Sequence, residues 1–342
     1  MLNNSNASAW IVDGEKFALM GLNLKLEGYL PSDELAPGYS VLVDEQFQIP
    51  AHWREWLGTI RAEELDNCNL YLLSKQRSAY VSVLDAENQA LQQRVWHFYI
   101  GLLLASPFAL AHKPILLTGA CRGKEIDLRQ HQDHDPPIPK IWRPYPAVVP
   151  DNVRRAAKLG RNLETLAANR SPGGHWRLFR TLRVYTDART IPDIVDRIHQ
   201  YCRCIDGLIL PDAGNTKKQF KSRRELFIGP NHHDLMGELY DIRSAVEHLH
   251  ENRYLENFDR GLRLELTKKE AIAEFIARSA LAHVIERDSL WLHFSNTPAL
   301  KNFREKAPKV RKEIWGDPNN PLIDINDFDP QYITDAMLGC AR

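Results

Sequence analysis

"HQDHDPPIPKIWRPYPAVVP" (131–150) divides this sequence in two. Six of its twenty residues are proline. Proline fixes φ and offers no backbone N–H, so the stretch cannot sustain a regular helix or strand. A domain boundary is expected there. Upstream, apolar residues alternate in the manner of strands; downstream they recur at helical spacing. The expected fold class is therefore α+β, with a mixed α/β N-terminal domain over 1–150 and an all-α bundle over 151–300. Residues 301–342 are expected to form a C-terminal extension.

Working outward on the N-terminal side, "KFALMGLNLKLEGYL" (16–30) and "YSVLVDEQFQI" (39–49) alternate like strands between glycine and proline. "AYVSVLDAENQALQQRVWHFYIGLLLA" (79–105) starts strand-like and becomes helical after Asp85. The apolar run "VWHFYIGLLLASPFALA" (95–111) is too short to span a bilayer and is predicted to be a core helix broken near Pro107. "KPILLTGACRGKEIDLRQ" (113–130) reads as a hairpin around a glycine-containing turn. Its "GACRGKE" has one residue too few between glycines for a phosphate-binding loop, and Glu125 stands where a Ser or Thr is needed.

On the other side, "IPDIVDRIHQYCRCIDGLIL" (191–210) predicts a helix with Pro192 at its first position and a Thr190–Asp193 capping box. Its stripe is Ile194, Ile198, Tyr201, Ile205 and Leu208. In 234–250, Leu235, Leu239, Ile242, Val246 and Leu249 fall within about 40° of one line on a helix. Asn231 or Asp234 is the expected N-cap. A third helix is expected to begin at "TKKE", with Thr267 and Glu270 as its capping box. His283, on the apolar face of that helix, reads as a hydrogen-bonded core histidine.

Length suits two domains. Lys plus Arg and Asp plus Glu are 44 each, so the net charge is zero and no global basic field marks a nucleic-acid binder. Any polyanion site must come from local clustering. The five cysteines are scattered, and Cys202 and Cys204 lie too close for a zinc knuckle, so reduced thiols in a cytoplasmic protein are expected. The N-terminus has neither the basic start nor the apolar run of a signal peptide, and no membrane association is expected.

Three clusters carry potential chemistry. "HQDHD" (131–135) gathers metal-ligand residue types, but its spacing fits no zinc template and it reads as a solvated loop. No metal or cofactor is expected. "KKQFKSRR" (217–224) brings together Lys217, Lys218, Lys221, Arg223 and Arg224; such a run either binds phosphates or is a solvated connection. "LYDIRSAVEHLH" (239–250) sets Arg243, Glu247, His248 and His250 on one helix. Arg243 lies at the edge of the apolar stripe, with His248 nearly opposite the stripe and His250 back on the arginine's side.

This last motif resembles the HEPN superfamily (higher eukaryotes and prokaryotes nucleotide-binding), particularly its Apea-like branch, marked by "lYdlRSxxxH". Leu239, Tyr240, Asp241, Arg243, Ser244 and His248 match in order. "RIHQYCRCIDGLIL" is similar to the family's earlier helix, with Asp206 at its acidic position, and "SRRELFIG" to a short arginine-bearing helix between them. The resemblance covers roughly 175–295. It departs from the branch after the histidine, where glycine is common and this chain has Leu249 followed by His250.

The resemblance implies a helical HEPN domain and a metal-independent endoribonuclease, with Arg243 and His248 catalytic. Tyr240, Ser244, Glu247, His250 and Asp206 would support them. RNA is the implied substrate, with the 2′-hydroxyl as nucleophile. Histidine would move protons while arginine holds the charged phosphorane. One such histidine per chain is few for both acid and base, so a homodimer is expected. Phage defence or stress-induced growth arrest would be the setting, with a phage or cellular trigger sensed by the N-terminal domain. The rival expectation is a non-catalytic HEPN module that binds RNA, a nucleotide or a protein.

Overall fold

The computed structural model describes residues 10–43, 47, 49, 51–78, 85–123, 125–169, 173–212, 214–250, 254 and 259–338. Strands β1 (Glu15–Leu22), β2 (Glu34–Ala36), β3 (Tyr39–Val43), β4 (Leu70–Arg77), β5 (Ile115–Arg122) and β6 (Glu125–Asp133) form one antiparallel sheet, ordered β2-β3-β4-β1-β5-β6. Helices α1 (Ala51–Leu57), α2 (Thr59–Asp66), α3 (Ala86–Ala105) and α4 (Pro150–Ala168) accompany it. The rest is helical: α5 (Trp176–Ala188), α6 (Ile194–Ile209), α7 (Thr216–Arg223), α8 (Glu225–Ile228), α9 (His233–His248), α10 (Arg260–Glu286), α11 (Asp288–Trp291), α12 (Thr297–Glu305) and α13 (Pro308–Trp315). The fold is α+β, with a helical C-terminal part.

The chain divides into two compact units: Met1–Pro139 with Tyr145–Ala167, and Lys140–Pro144 with Ala168–Arg342. In the first, β1 is central and its residues from Lys16 onward are buried. That near-continuous burial is what a strand covered on both faces requires. Phe17 and Leu19 join Trp53, Leu65, Tyr71 and Leu117 in one cluster. Lys16, on the alternate face, pairs with Asp85 and Glu87 at the start of α3, which places α3 against that other face. Asp85 caps α3 by accepting from the Asn88 amide at 3.0 Å, and the helix stops at Ala105, before Pro107. Helices α3 and α4 approach through glycine: a Cβ on Gly101 would stand 2.2 Å from the Ala156 carbonyl oxygen. The β5–β6 hairpin turns at Gly123, whose φ is +61°, and a strand follows it where a phosphate-binding loop would open a helix.

In the second unit α6 packs against α5, α9 and α10. Ile198, Tyr201, Ile205 and Leu208 of α6 are buried, as are Leu239 and Ile242 of α9. Within it Glu274 accepts from Tyr185 Oη at 2.8 Å and Arg278 Nε at 3.0 Å, with Arg189 at 3.6 Å. Burial alone would raise the Glu274 pKa; Arg278, Arg189 and Lys140 overcome that and hold it below the usual carboxylate range. His283 hydrogen-bonds the Trp315 carbonyl at 2.6 Å, the structural role its position implied.

Several local expectations give way. The stretch 131–150 holds regular structure at both ends, although the chain passes between the units inside it: β6 continues to Asp133, and α4 begins at Pro150 in the first unit. Residues 140–144 are tied into the second unit, with Trp142 buried beside Ala271 and Lys140 paired to Asp324 at 2.8 Å. Residues 301–338 also belong to that unit, with Phe303, Trp315, Ile333 and Leu338 buried. Helix α6 is capped by the Asp193 side chain, which accepts from the Val195 and Asp196 amides, rather than by a Thr190 box. Neither Asn231 nor Asp234 caps α9, whose N-cap is His232. Helix α10 starts seven residues before Thr267, capped by Asp259, so Thr267 and Glu270 are buried mid-helix groups. Glu270 there binds Arg197 at 3.0 Å.

Candidate functional site

Helix α9 carries the Arg–His motif, and its termination sets where each residue goes. Leu249 ends it in the left-handed conformation, φ +53°, with its side chain 93% exposed. The apolar stripe therefore stops at Val246. Glycine is the residue that takes this conformation without strain. His248 and His250 are both exposed, with ring centroids 5.5 Å apart.

Arg243 is only 18% exposed and is directed to Asp206 of α6. Its Nη2 lies 3.5 Å from Asp206 Oδ2 and 3.0 Å from Glu247 Oε2, and its guanidinium stands 5.5 Å from the Tyr240 ring centroid. Tyr240 is fixed by Thr216, 2.5 Å from its hydroxyl, and by Phe220. Ser244 is half-buried on the same helix. Thus Arg243, Asp206, Glu247 and Tyr240 are brought together, whereas His248 and His250 are not part of that group.

Arg243 and Asp206 line a cleft of about 320 Å³ formed by α5, α6 and α9. Arg177, Arg180 and Arg203 line it too, giving four guanidinium groups against one carboxylate on its walls. The buried Nε atoms of Arg177 and Arg243 meet no acceptor among the described residues. The floor depends on Gly207, because a Cβ there would stand 2.1 Å from Thr181 Oγ1 and hold α5 off α6. Burial pushes the Asp206 carboxyl up to about 6, with Glu247 adding to the rise and Arg243 and Arg203 opposing it. A carboxyl titrating there can exchange protons near neutral pH. The cleft can hold a phosphate and move a proton beside it.

His199 lies four residues before Arg203 and seven before Asp206, on their side of α6. Burial lowers its pKa, with Glu247 opposing, and its Nε2 meets no acceptor or donor among the described residues. Arg177, Arg180, Arg203 and His199 were not singled out from the sequence. Arginines at 177, 180 and 183 do recur every three residues, a signal that one helix face is cationic.

The basic run splits. Lys217, Lys218 and Lys221 line a surface depression with Asn215, Ser222 and His233. Lys217 is held by Asp241 at 2.6 Å, and Lys221 lies 4.0 Å from Asp234. Arg223 turns inward to the Leu210 carbonyl and Asp212. Arg224 does not join this surface: it is fully buried, donates to the Gly229 carbonyl at 2.8 Å, and has its pKa pushed down by burial to about 10. It anchors the turn after α8 and cannot reach a solvent phosphate.

The "HQDHD" residues are dispersed among other partners. His131 meets the edge of Trp56, Asp133 pairs with Arg61 at 3.3 Å, His134 stacks on Trp96, and Asp135 pairs with Lys113 at 3.2 Å. Among the described residues no group of three or more His, Cys, Asp or Glu side chains is placed to hold a metal ion. No helix among them is long and apolar enough to cross a membrane. In comparisons with protein-family models, curated proteins and solved structures, nothing matches this chain.

Proposed function

We propose that the protein is a metal-independent endoribonuclease of HEPN type, working as a cytoplasmic homodimer in phage defence or stress-induced growth arrest. The observation that carries this reading is Arg243, central to the motif, sitting in a cleft with three further arginines and Asp206. Four fixed cations suit the doubly charged phosphorane of strand cleavage. In the reaction a base takes the 2′-hydroxyl proton, that oxygen attacks phosphorus, and the P–O5′ bond breaks as an acid protonates the leaving oxygen. The products are a 2′,3′-cyclic phosphate and a 5′-hydroxyl. His248 is the proposed proton-transfer group, supplied at a composite site made by two α9 helices, because within one chain it lies outside the Arg243 cleft. Lys217, Lys218 and Lys221 would hold the RNA backbone, and the N-terminal unit would sense the trigger.

That separation of His248 from the cleft also favours a second reading, a non-catalytic module that binds RNA, a nucleotide or a protein. One experiment divides the two. Purified protein is incubated with total RNA in EDTA beside its Arg243→Ala and His248→Ala forms, with light scattering across a concentration series. The nuclease reading expects cleavage by the wild-type dimer alone, with cyclic-phosphate ends. Absence of cleavage, or full activity from a strict monomer, would overturn it.

A further inference from the structure

Phosphate chemistry uses only part of the Arg243 cleft. Its remaining wall is apolar, and the largest group there is Trp176, the first residue of α5, which is 55% exposed. Tryptophan left in water forgoes the burial that its large ring would otherwise gain, so a ring held open beside a charged cleft is suited to a partner with a flat face. The ring's backbone is fixed before any ligand arrives. The Trp176 amide donates to the Gly173 carbonyl at 3.3 Å, and His175, the preceding residue, donates to the Ser295 carbonyl at 2.5 Å. Arg177 and Arg180, one and four residues on, bring charge to the same cleft from the same helix, while Arg203 and Arg243 face them from α6 and α9. An aromatic platform beside a cluster of guanidinium groups matches one chemistry well, a nucleotide with its base stacked and its phosphate paired. The cleft's 320 Å³ falls at the lower end of the roughly 300–1,000 Å³ typical of small-ligand sites.

Resting on the reading of this cleft as an RNA site, we infer that it is a nucleotide subsite in which an unpaired base stacks on Trp176, so that the protein recognises single-stranded rather than duplex RNA. A base inside an A-form helix already has both faces covered by its neighbours, so its ring cannot lie on Trp176 without leaving the stack. The arginines alone would accept either polymer. Trp176 supplies the discrimination.

The test measures binding with a strand that cannot be cut. A short, fluorescently labelled oligonucleotide with 2′-O-methyl groups throughout is titrated with the full-length protein and followed by anisotropy. It is used as a single strand, as a duplex with its complement, and as a single strand of abasic residues. Wild type is compared with Trp176→Ala and with Trp176→Phe, which keeps a ring. Trp176→Ala should weaken single-strand binding about 5- to 150-fold, with Trp176→Phe retaining most of it. The abasic strand should bind wild type about as poorly as the intact strand binds Trp176→Ala. Duplex binding should be weak and indifferent to the substitution. Unchanged single-strand binding by Trp176→Ala, an equal loss for duplex, or no binding by wild type would overturn the inference. Cleavage of ordinary RNA by wild type is measured alongside. Cleavage with Trp176 silent sinks the stacking subsite alone; Trp176-dependent binding without cleavage sinks the nuclease reading and leaves the subsite standing.

Discussion

Asp206 should weaken the folded protein at neutral pH, and Asp206→Asn should reveal by how much. The carboxyl is only 16% exposed and titrates near 6 in the fold against 3.8 when free. The folded state therefore holds this proton more tightly than the unfolded chain does. Below about pH 4 both states are protonated and the group costs nothing. As pH rises from 4 towards 6 the unfolded chain ionises first, so stability falls across that window and stays low above it. The gap of roughly two pKa units, at about 1.4 kcal/mol each, is about 3 kcal/mol. Asparagine has nearly the same shape and no charge to bury, and Arg243 keeps Glu247 at 3.0 Å as its partner. Asp206→Asn should thus be close to neutral at pH 4 and stabilise the second unit by up to about 3 kcal/mol at pH 8. Because the chain has two units, hydrogen exchange of α6 peptides under graded urea is the appropriate measurement, reading this helix separately from the sheet. A destabilisation of the same size at both pH values would refute the reasoning, since it would mean that Arg243 already favours the ionised form.

Other substitutions test the packing around the site. Glu274→Gln removes the carboxylate that neutralises Arg189 and Arg278 in the core and should cost about 3–5 kcal/mol of unfolding free energy, read from the fall in denaturant midpoint at constant slope, whereas breaking the exposed Lys217–Asp241 pair should cost no more than about 1 kcal/mol. Leu249→Gly places a residue free of Cβ strain at φ +53° and should raise thermal stability by up to about 1 kcal/mol; a loss would show that the exposed Leu249 side chain is covered in solution. Burial pushes the Cys68 thiol up to about 12 and those of Cys202 and Cys204 higher still, so peptide mapping after brief iodoacetamide treatment should find all three unlabelled until the protein is unfolded.

The class of the fold was readable in the sequence because period-2 and period-3.6 patterns report which side of an element is buried. The β5–β6 hairpin, the start of α3 at Asp85 and the inward stripe of α6 all follow from local chemistry of that kind. Capping was less legible: the sequence offered two capping boxes and a choice of N-caps for α9, yet Asp193, His232 and Asp259 occupy the N-cap positions. Only α10 runs past its expected box, because a helix can extend beyond a good cap when tertiary burial favours it. Arg243 could be placed at the edge of a stripe from spacing alone. Its company could not. Periodicity gives the angle of a side chain about its own axis and is silent on what stands across from it, so the convergence of Arg177, Arg180 and Arg203 on Arg243 required the crossing of α5, α6 and α9. For the same reason Arg224 and Lys221, neighbours in one basic run, separated into core and surface: their positions on the chain are alike in charge, but packing around Gly229 encloses one guanidinium and leaves the other cation near solvent.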